Sequence, residues 1–600
     1  MQTDLCFETR ALQIPEHIQS GAKPTLDDAR WMLRQLWRFP DFRGAQAEAV
    51  EAVLRGGDVL VVLPTGAGKS AIYQTIAPLL PGTTIVISPL IALMLDQVEN
   101  LQAVGVPAAY INSSLTPGQA DAALGAMEAG RFKLCFIAPE RFANAEFRAR
   151  LSRIEVPLLV VDEAHCASEW GRDFRPAYAK LGLHRDLIPS ASVLALTATA
   201  TPEVRRDIVS LLGMRQPTVL VRGVDRPNLY WEVVHAPDIS AKLRHIGPML
   251  QRLDRGSAII YAASRYATEQ IAEWLRGMDV RAAAYHAGLK DRVRTQVQQG
   301  FMASEIPVVA ATSAFGMGID KPDVRLVVHS AFPSTPETYY QEAGRAGRDG
   351  EPASCLLLYS PLDRRNHEIR INEMHPPGAA VRQVYAMLER SVDDTGRLTE
   401  SLAAWSRRAH IVCEGQTLSE GQVAAAVRIL STAGVAFNKQ TGREGAFLRL
   451  LSQTADIKGK LPAGSKTPRD VLGRLWNAHP EDTLRAGFTL RGQEITALAK
   501  DRSQARAALE ALAESGVIEL EWEEAGCRVL QRGLDPDALP VDWLLQHQIT
   551  HRLRTQLAQV EEYALAGGCR RRHLLDYFGD ALTTPCTGCD RCHGRRREAA

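Results

Sequence analysis

The chain has 600 residues, 46% of them apolar and 23% charged, values that fit globular domains and exclude a disordered or fibrous protein. Its length corresponds to roughly four domains, and its net charge of +1 leaves nucleic acid open as a partner, because binding needs a local basic face and not a basic total. No apolar run is long enough to span a bilayer, and Asp4, Glu8 and Glu16 do not fit a signal or transit peptide, so a cytoplasmic protein without a membrane partner is expected. Cys6, Cys135, Cys166, Cys355, Cys413 and Cys527 stand singly, as reduced, packed cysteines do.

From Asp58 onward, short β-branched runs alternate with helical stretches. Val59 to Leu63, Thr84 to Ser88, Leu134 to Ala138, Leu158 to Asp162 and Ser192 to Thr197 read as buried strands. The alternation resumes over Ser257 to Tyr261, Arg281 to Tyr285, Val308 to Thr312, Arg325 to His329 and Cys355 to Tyr359. Continuous apolar strands separated by helices predict two parallel-sheet α/β domains, joined near Arg222 to Asn228. His375-Pro-Pro-Gly378 breaks this pattern, and helical periodicity follows. There Gln422 to Gly434 and Val435 resemble Gln504 to Gly516 and Val517, each a helix closed by glycine before a strand. With hairpins over Val435 to Leu451 and Val517 to Leu530, these read as two winged-helix-like copies divided at 462–468; a generic helical bundle is the alternative.

Leu63-Pro-Thr-Gly-Ala-Gly-Lys-Ser70 follows a strand and opens a helix. Thr65, Gly66, Ala67 and Gly68 would wrap phosphate oxygens, Lys69 would supply charge and Ser70 would hold Mg²⁺. Leu63 stands where the strict phosphate-loop pattern has glycine. Asp162 and Glu163 end a strand, suited to holding Mg²⁺ through water and to activating the attacking water; His165 after them could equally be a packed histidine. Trp170 and Phe174, set among Arg172 and Arg175, have the stacking and charge that suit single-stranded nucleic acid. If Gln341 to Arg348 is helical, Gln341, Arg345 and Arg348 share one face, and the two arginines suit an arginine-finger role on the γ-phosphate. Cys569, Cys586, Cys589 and Cys592 have the spacing of a closed structural zinc site, with a redox pair as the alternative.

The segment Asp162 to Tyr178, with its Trp170-Gly-Arg-Asp-Phe174-Arg-Pro core, resembles motif II and the aromatic-rich loop of RecQ-family DNA helicases. Ser88 to Gln97, Leu196 to Thr199, Tyr285 to Leu289, Ala311 to Pro322 and Tyr339 to Gly350 resemble further motifs in family order, covering about residues 30–365. The cysteine cluster, with Cys569 to Gly579, resembles the family's zinc module.

The resemblance implies two tandem RecA-like domains, mainly helical winged-helix-like domains and a zinc-binding helical module. The expected divisions are an N-terminal extension at 1–29, ATP-binding lobe 30–221, second lobe 222–365, connector 366–375, winged-helix-like domains 376–460 and 461–540, zinc module 541–594 and basic tail 595–600. Phe42, Arg43 and Gln46 would recognise adenine, with Gln46 on the base edge; Arg38 stands where the family usually has glycine. Trp170, Phe174 and Arg175 would couple DNA to hydrolysis, although Glu169 and Arg172 replace the family's usual Gln and His. Thr197 and Thr199 would link the ATP state to closure, Arg348 would be the finger and Arg345 its γ-phosphate partner. Ser88 and Thr312 would lie near the translocating strand.

The resemblance further implies 3′-to-5′ translocation on single-stranded DNA, unwinding of tailed duplexes in repair or recombination, and nucleoid association when on DNA. Single-strand-binding protein or topoisomerase are partners implied by the family, and a monomer is expected. The usual family plan places the zinc module directly after the core; here Pro376 to Leu539 intervenes. The enzymatic rival is a translocase or remodeller, which could act on RNA–DNA hybrids. The rival of another class is a DNA-binding regulator with a vestigial ATPase core.

Overall fold

The computed structural model describes residues 12–64, 66–89, 91–112, 114–168, 175–251, 255–316, 319, 321–398, 400–439, 446–452, 457, 466–478, 481–490, 492–499, 502–522 and 526–593. Thr65, Trp170 and Phe174, with Glu169 and Arg172, lie outside them, as does the basic tail.

Seven strands build the first sheet: β1 (Val59–Val62), β2 (Thr84–Ile87), β3 (Ala108–Ile111), β4 (Leu134–Ile137), β5 (Leu158–Val161), β6 (Ser192–Thr197) and β7 (Thr218–Val221). Their order is β3-β4-β2-β5-β6-β1-β7, and every pairing is parallel. Alternate β1 residues serve two cores: Leu60 and Val62 pack on one face of the sheet, Val59 and Val61 on the other. Burial on both faces is why the strand reads as an unbroken apolar run, and each such side chain contributes about 1.5–3 kcal/mol.

The second sheet contains β8 (Leu229–His235), β9 (Ser257–Tyr261), β10 (Ala282–Tyr285), β11 (Val308–Ala311), β12 (Val324–His329) and β13 (Ala353–Tyr359). Its order is β10-β11-β9-β12-β13-β8, again parallel throughout. The fold is therefore the expected pair of RecA-like parallel-sheet lobes. Arg38 ends the helix Leu26–Trp37 at φ 59° and donates its N–H to Arg34 O at 3.2 Å. The turn keeps the left-handed geometry that glycine favours, now on a residue with a Cβ.

The chain divides into two compact units, one comprising residues 1–367 with 552–600 and the other Glu368–His551. The second unit is thus an insertion in the sequence of the first. Within it, helices Gly378–Ser391, Leu402–Ala409 and Glu420–Thr432 share a core with strands Ala436–Lys439 and Gly526–Val529. These two strands are antiparallel partners, and Arg397 bridges Arg528 beyond them.

Among the described residues, the expected hairpins over Val435 to Leu451 and Val517 to Leu530 do not form within themselves. Ala436–Lys439 pairs with Gly526–Val529, and Ala446–Leu450 pairs with Phe488–Leu490 and Ile518–Trp522. The tandem division 376–460 and 461–540 is replaced by a nest. An inner domain, with helices Lys466–Ala478, Glu481–Ala486, Gly492–Ala497 and Arg502–Glu514, lies between the two outer wing strands in sequence and has its own core.

The hydrogen bonds fix the equivalence of the two copies. Gly434 and Gly516 take φ 71° and 63°. Val435 O accepts from Leu530 and Gln531 N–H at 2.8 and 3.1 Å, while Val517 O accepts from Leu451 and Ser452 N–H at 3.0 and 3.3 Å. The strand that pairs after the glycine-capped helix, Ala446–Leu450, therefore precedes the inner domain's helices, whereas its outer counterpart, Gly526–Val529, follows the insertion. Helix and glycine cap are local signals; the partner of a short strand is not. Among the described residues, no helix is long and apolar enough to cross a membrane.

Candidate functional site between the two lobes

The phosphate loop springs from the C-terminal end of β1 and runs into the helix Lys69–Ile76, so its N–H groups meet at a helix N-terminus. Gly66 and Gly68 take φ 84° and 72°. A Cβ on Gly68 would lie 2.7 Å from Gln46 Nε2, so glycine serves both backbone and contact there. Lys69 Nζ donates to Leu63 O at 3.0 Å and Pro64 O at 3.4 Å. Burial pulls its ammonium below the usual lysine range, Glu163 and Asp162 counter that shift, and Arg348 adds to it.

Gln46 is buried in the first turn of the helix Gln46–Leu54. Its Nε2 donates to Ala67 O at 2.8 Å and Gly68 O at 3.1 Å, while its Oε1 accepts from Arg43 N–H at 2.8 Å. The amide thus ties the phosphate loop to the Phe42–Arg43 segment, a contact the sequence did not announce. Phe42 is half-buried and Arg43 exposed, with the Arg43 guanidinium 5.5 Å from the centre of the Phe39 ring.

Asp162 and Glu163 follow β5. Burial and the Glu163 charge push the Asp162 carboxyl up to about 6, against the pull of Lys69. Glu163 takes φ 49°, an uncommon conformation for a side chain of this kind. His165 Nδ1 lies 3.3 Å from Glu163 Oε2 and 2.9 Å from Thr197 Oγ1. Burial opposes charge on His165, but Cys166 and Glu163 beside it outweigh burial and raise its pKa to about 10. Thr197 Oγ1 donates to Thr199 O at 3.2 Å.

Gln341 Nε2 in turn donates to Thr199 Oγ1 at 2.7 Å. Glu163, His165, Thr197, Thr199 and Gln341 therefore form one polar chain from the acidic strand end of the first lobe into the second. It runs at the C-terminal ends of parallel strands, where open α/β sheets place their ligand sites. Ser88 follows β2 and is buried, Thr312 follows β11 with its N–H on Tyr285 O at 3.1 Å, and Arg175 donates its N–H to Cys166 O at 2.9 Å.

The segment with the paired arginines differs from the helical expectation. The helix Pro336–Ala343 ends at Gly344, and Gly347 has φ 56°, so Gln341, Arg345 and Arg348 do not share a helix face. Two left-handed or cap glycines stop the helix. Arg345 is buried and donates to Gly316 O, whereas the Arg348 side chain lies over Gly66, its Cδ 3.4 Å from where a Cβ there would sit. The structure brings Arg348 to the phosphate loop and turns Arg345 toward the 312–322 loop.

Two linker residues that were not singled out hold this turn in place. Arg226 donates to Gly344 O at 3.1 Å, Ala346 O at 2.9 Å and Gly347 O at 3.0 Å, and Asn228 Nδ2 to Gly347 O at 2.9 Å. Their only sequence signal was position, in the stretch joining the lobes.

Cys569, Cys586, Cys589 and Cys592 place their four Sγ atoms within 4.8 Å of one another. A tetrahedral Zn²⁺ at about 2.3 Å from each thiolate fits that cluster with little contraction. Asp590, between two of the cysteines, takes Nε of the fully buried Arg570 on Oδ1 at 3.1 Å. That ion pair locks the cysteine loop onto the helix Arg570–Tyr577.

Residues 43–208 match the DEAD/DEAH box helicase family, 241–350 the helicase conserved C-terminal domain and 537–593 the RecQ zinc-binding domain. The chain is 44% identical over 340 residues to ATP-dependent DNA helicase RecQ of Bacillus subtilis, covering 56% of this chain and 57% of that protein. It is 36% identical over 398 residues to the probable ATP-dependent DNA helicase RecS of the same organism, covering 65% of this chain and 80% of that protein. Against ATP-dependent DNA helicase Q5 of Rattus norvegicus the identity is 44% over 353 residues, covering 56% of this chain and 36% of that protein. The chain thus spans little more than half the length of the first of these relatives. With two parallel lobes, a phosphate loop facing an arginine-bearing turn and a four-cysteine module, this chain belongs to the RecQ family of helicases.

Proposed function

We propose that the protein is an ATP-dependent DNA helicase that moves 3′ to 5′ on single-stranded DNA and unwinds tailed duplexes, serving DNA repair or recombination. The observation that carries this reading is the polar chain from Glu163 through His165, Thr197 and Thr199 to Gln341. It connects a hydrolytic carboxylate of one lobe to the helix preceding Arg348 of the other, as a motor coupling hydrolysis to lobe movement requires.

In this reading, Gln46 and Phe42 select adenine, and Gln46 gives up its bonds to the loop carbonyls in exchange for the base edge. Arg43 borders the same site. Gly66, Ala67 and Gly68, with Thr65, direct N–H groups at the phosphates. Lys69 leaves the Leu63 and Pro64 carbonyls for phosphate oxygens. Mg²⁺ held by Ser70, and by Asp162 through water, would neutralise phosphate charge. Glu163 orients and deprotonates the attacking water, and His165 holds Glu163 in place. Arg348 neutralises charge on the transferred group, with Arg345 joining it on closure. Ser88, Trp170, Phe174, Arg175 and Thr312 follow the DNA strand.

Zn²⁺ on the four cysteines would be structural. The protein would act as a monomer in the cytoplasm, on the nucleoid, with single-strand-binding protein or a topoisomerase as partners. One observation supports a second reading, a translocase or remodeller with weak unwinding: the outer wing strands, where winged helices carry their hairpin, lead into the inner domain.

ATP hydrolysis with and without single-stranded DNA tests the motor. Stimulation by DNA, lost in Glu163→Gln, is expected; a rate indifferent to DNA contradicts the reading.

A further inference from the structure

The helix Arg570–Tyr577 is anchored at one end by the metal cluster, for its N-cap is Cys569, whose Sγ accepts from Arg572 N–H at 3.4 Å. Along its length it meets three other parts of the unit. Arg571 pairs with Asp225 in the stretch joining the lobes. Just past its end, Phe578 O accepts from Arg205 Nη2 of the first lobe at 3.0 Å. Tyr577 Oη donates to Glu337 Oε1 of the second lobe at 2.6 Å.

Glu337 is an odd choice for a helix start. An acidic side chain in the first turn is favourable at the surface, yet Glu337 is only 5% exposed, and its Oε2 is buried without a hydrogen-bond partner. Burying a carboxylate with half its acceptors unused costs free energy. Helix capping alone does not require that cost, because Thr335 already caps the helix, accepting from Thr338 N–H. Burial raises the Glu337 carboxyl above its usual range, against the pull of Tyr577, its own backbone N–H, Thr335 and, least, the charge of His165, a member of the polar chain. Glu337 and Gln341 stand four residues apart in the helix Pro336–Ala343 and so share a face. One turn of that face is held by Tyr577, and the next by Thr199.

We propose that Glu337 is a positioning residue through which the zinc-bearing helix holds Gln341 against Thr199, so that the zinc module sets the seating of the second lobe on the first. The inference rests on the ATPase reading above and deepens it: the tyrosine–carboxylate bond carries the module's hold on Gln341, beside the Arg571–Asp225 and Phe578–Arg205 contacts. Tyr577→Phe removes that bond while leaving ring packing, all four cysteines and the Arg570–Asp590 pair intact.

The test uses the full chain with zinc bound and reads amide hydrogen exchange over residues 336–343 beside DNA-stimulated ATP hydrolysis. Tyr577→Phe is expected to speed exchange in that helix about tenfold and to lower kcat about fivefold, with KM for ATP and zinc content held. Glu337→Gln, which retains an acceptor for Tyr577, is expected to stay near the parent protein, whereas Glu337→Leu is expected to behave as Tyr577→Phe. Tyr577→Phe combined with Gln341→Ala is expected to be no slower than Gln341→Ala alone.

Unchanged exchange in both Tyr577→Phe and Glu337→Leu, or fully additive losses in the double variant, would overturn the inference. So would exchange that rises only together with zinc loss in both variants. A parent protein whose ATP hydrolysis ignores DNA would sink the proposed function, and the exchange measurement would still decide the brace.

Discussion

The two lobes and the insertion use the chain in opposite ways. In the lobes, the central strands are buried apolar runs, most of them followed by a helix, and the functional residues sit at the strand ends within a few residues of their motif. In the insertion, the wing strands Ala436–Lys439 and Gly526–Val529 are partners separated by the whole inner domain. Parallel α/β architecture writes its order into local pattern, because each crossover brings the chain back to the same sheet edge direction. A nested domain leaves local pattern intact and changes only which pieces meet. The lesson is that motif-rich regions fix chemistry, while insertions are decided by pairing that short segments do not encode.

The largest effect that could break this contrast lies in the lobes. Lys69→Ala should lower DNA-stimulated ATP hydrolysis on the order of 10²–10³-fold, with thermal stability retained; steady-state kinetics and a thermal melt check both. Next come the equivalent leucines of the insertion. Leu430 and Leu512 are each fully buried, in the outer and inner cores respectively. Either leucine changed to alanine should destabilise its own domain by about 2–5 kcal/mol. Limited proteolysis followed by mass spectrometry should then find cleavage confined to 446–522 for Leu512→Ala and to the outer segments for Leu430→Ala. Cleavage in both domains for either variant would argue against two nested cores.

Gln341→Ala, which cuts the polar chain at the lobe boundary, should lower kcat about tenfold with little change in KM for ATP, as read by ATPase titration. The smallest expected effect is the sharpest on topology. Lys439 and Gly526 are directly paired, so residues 440–525 can be replaced by an Asn-Gly turn. The shortened protein should keep the outer domain folded by circular dichroism and its ATPase within about twofold. Collapse of the outer domain would favour the tandem arrangement over the nest.

Much of the lobes was legible because their strands are buried on both faces. The ten anticipated strands appear within one residue of their anticipated ends, except that β13 begins at Ala353, two residues before Cys355. The three that were missed, β3, β7 and β8, are all sheet edges. Thr218 and Val219 of β7 are exposed and β8 alternates buried with half-buried positions, so neither has the doubly covered environment that central strands have.

The site divides similarly. The phosphate loop, the acidic pair and the cysteine cluster are contiguous or regularly spaced, and their coming together could be anticipated from that spacing. The helical expectation through Gln341 to Arg348 ran too far because Gly344 and Gly347 end the helix after Ala343. The Arg226 and Asn228 clamp and the Tyr577–Glu337 bond were invisible, since each joins residues more than a hundred positions apart, where no period or motif reaches.

The central claim is that hydrolysis between the lobes drives strand separation. The most direct measurement is ATP-dependent unwinding of a DNA duplex with a 3′ tail, beside one with a 5′ tail, using Lys69→Ala as the control. The account predicts unwinding of the 3′-tailed duplex by the parent protein and none by the variant. DNA-stimulated hydrolysis without strand separation would contradict it and shift the assignment to a translocase or remodeller.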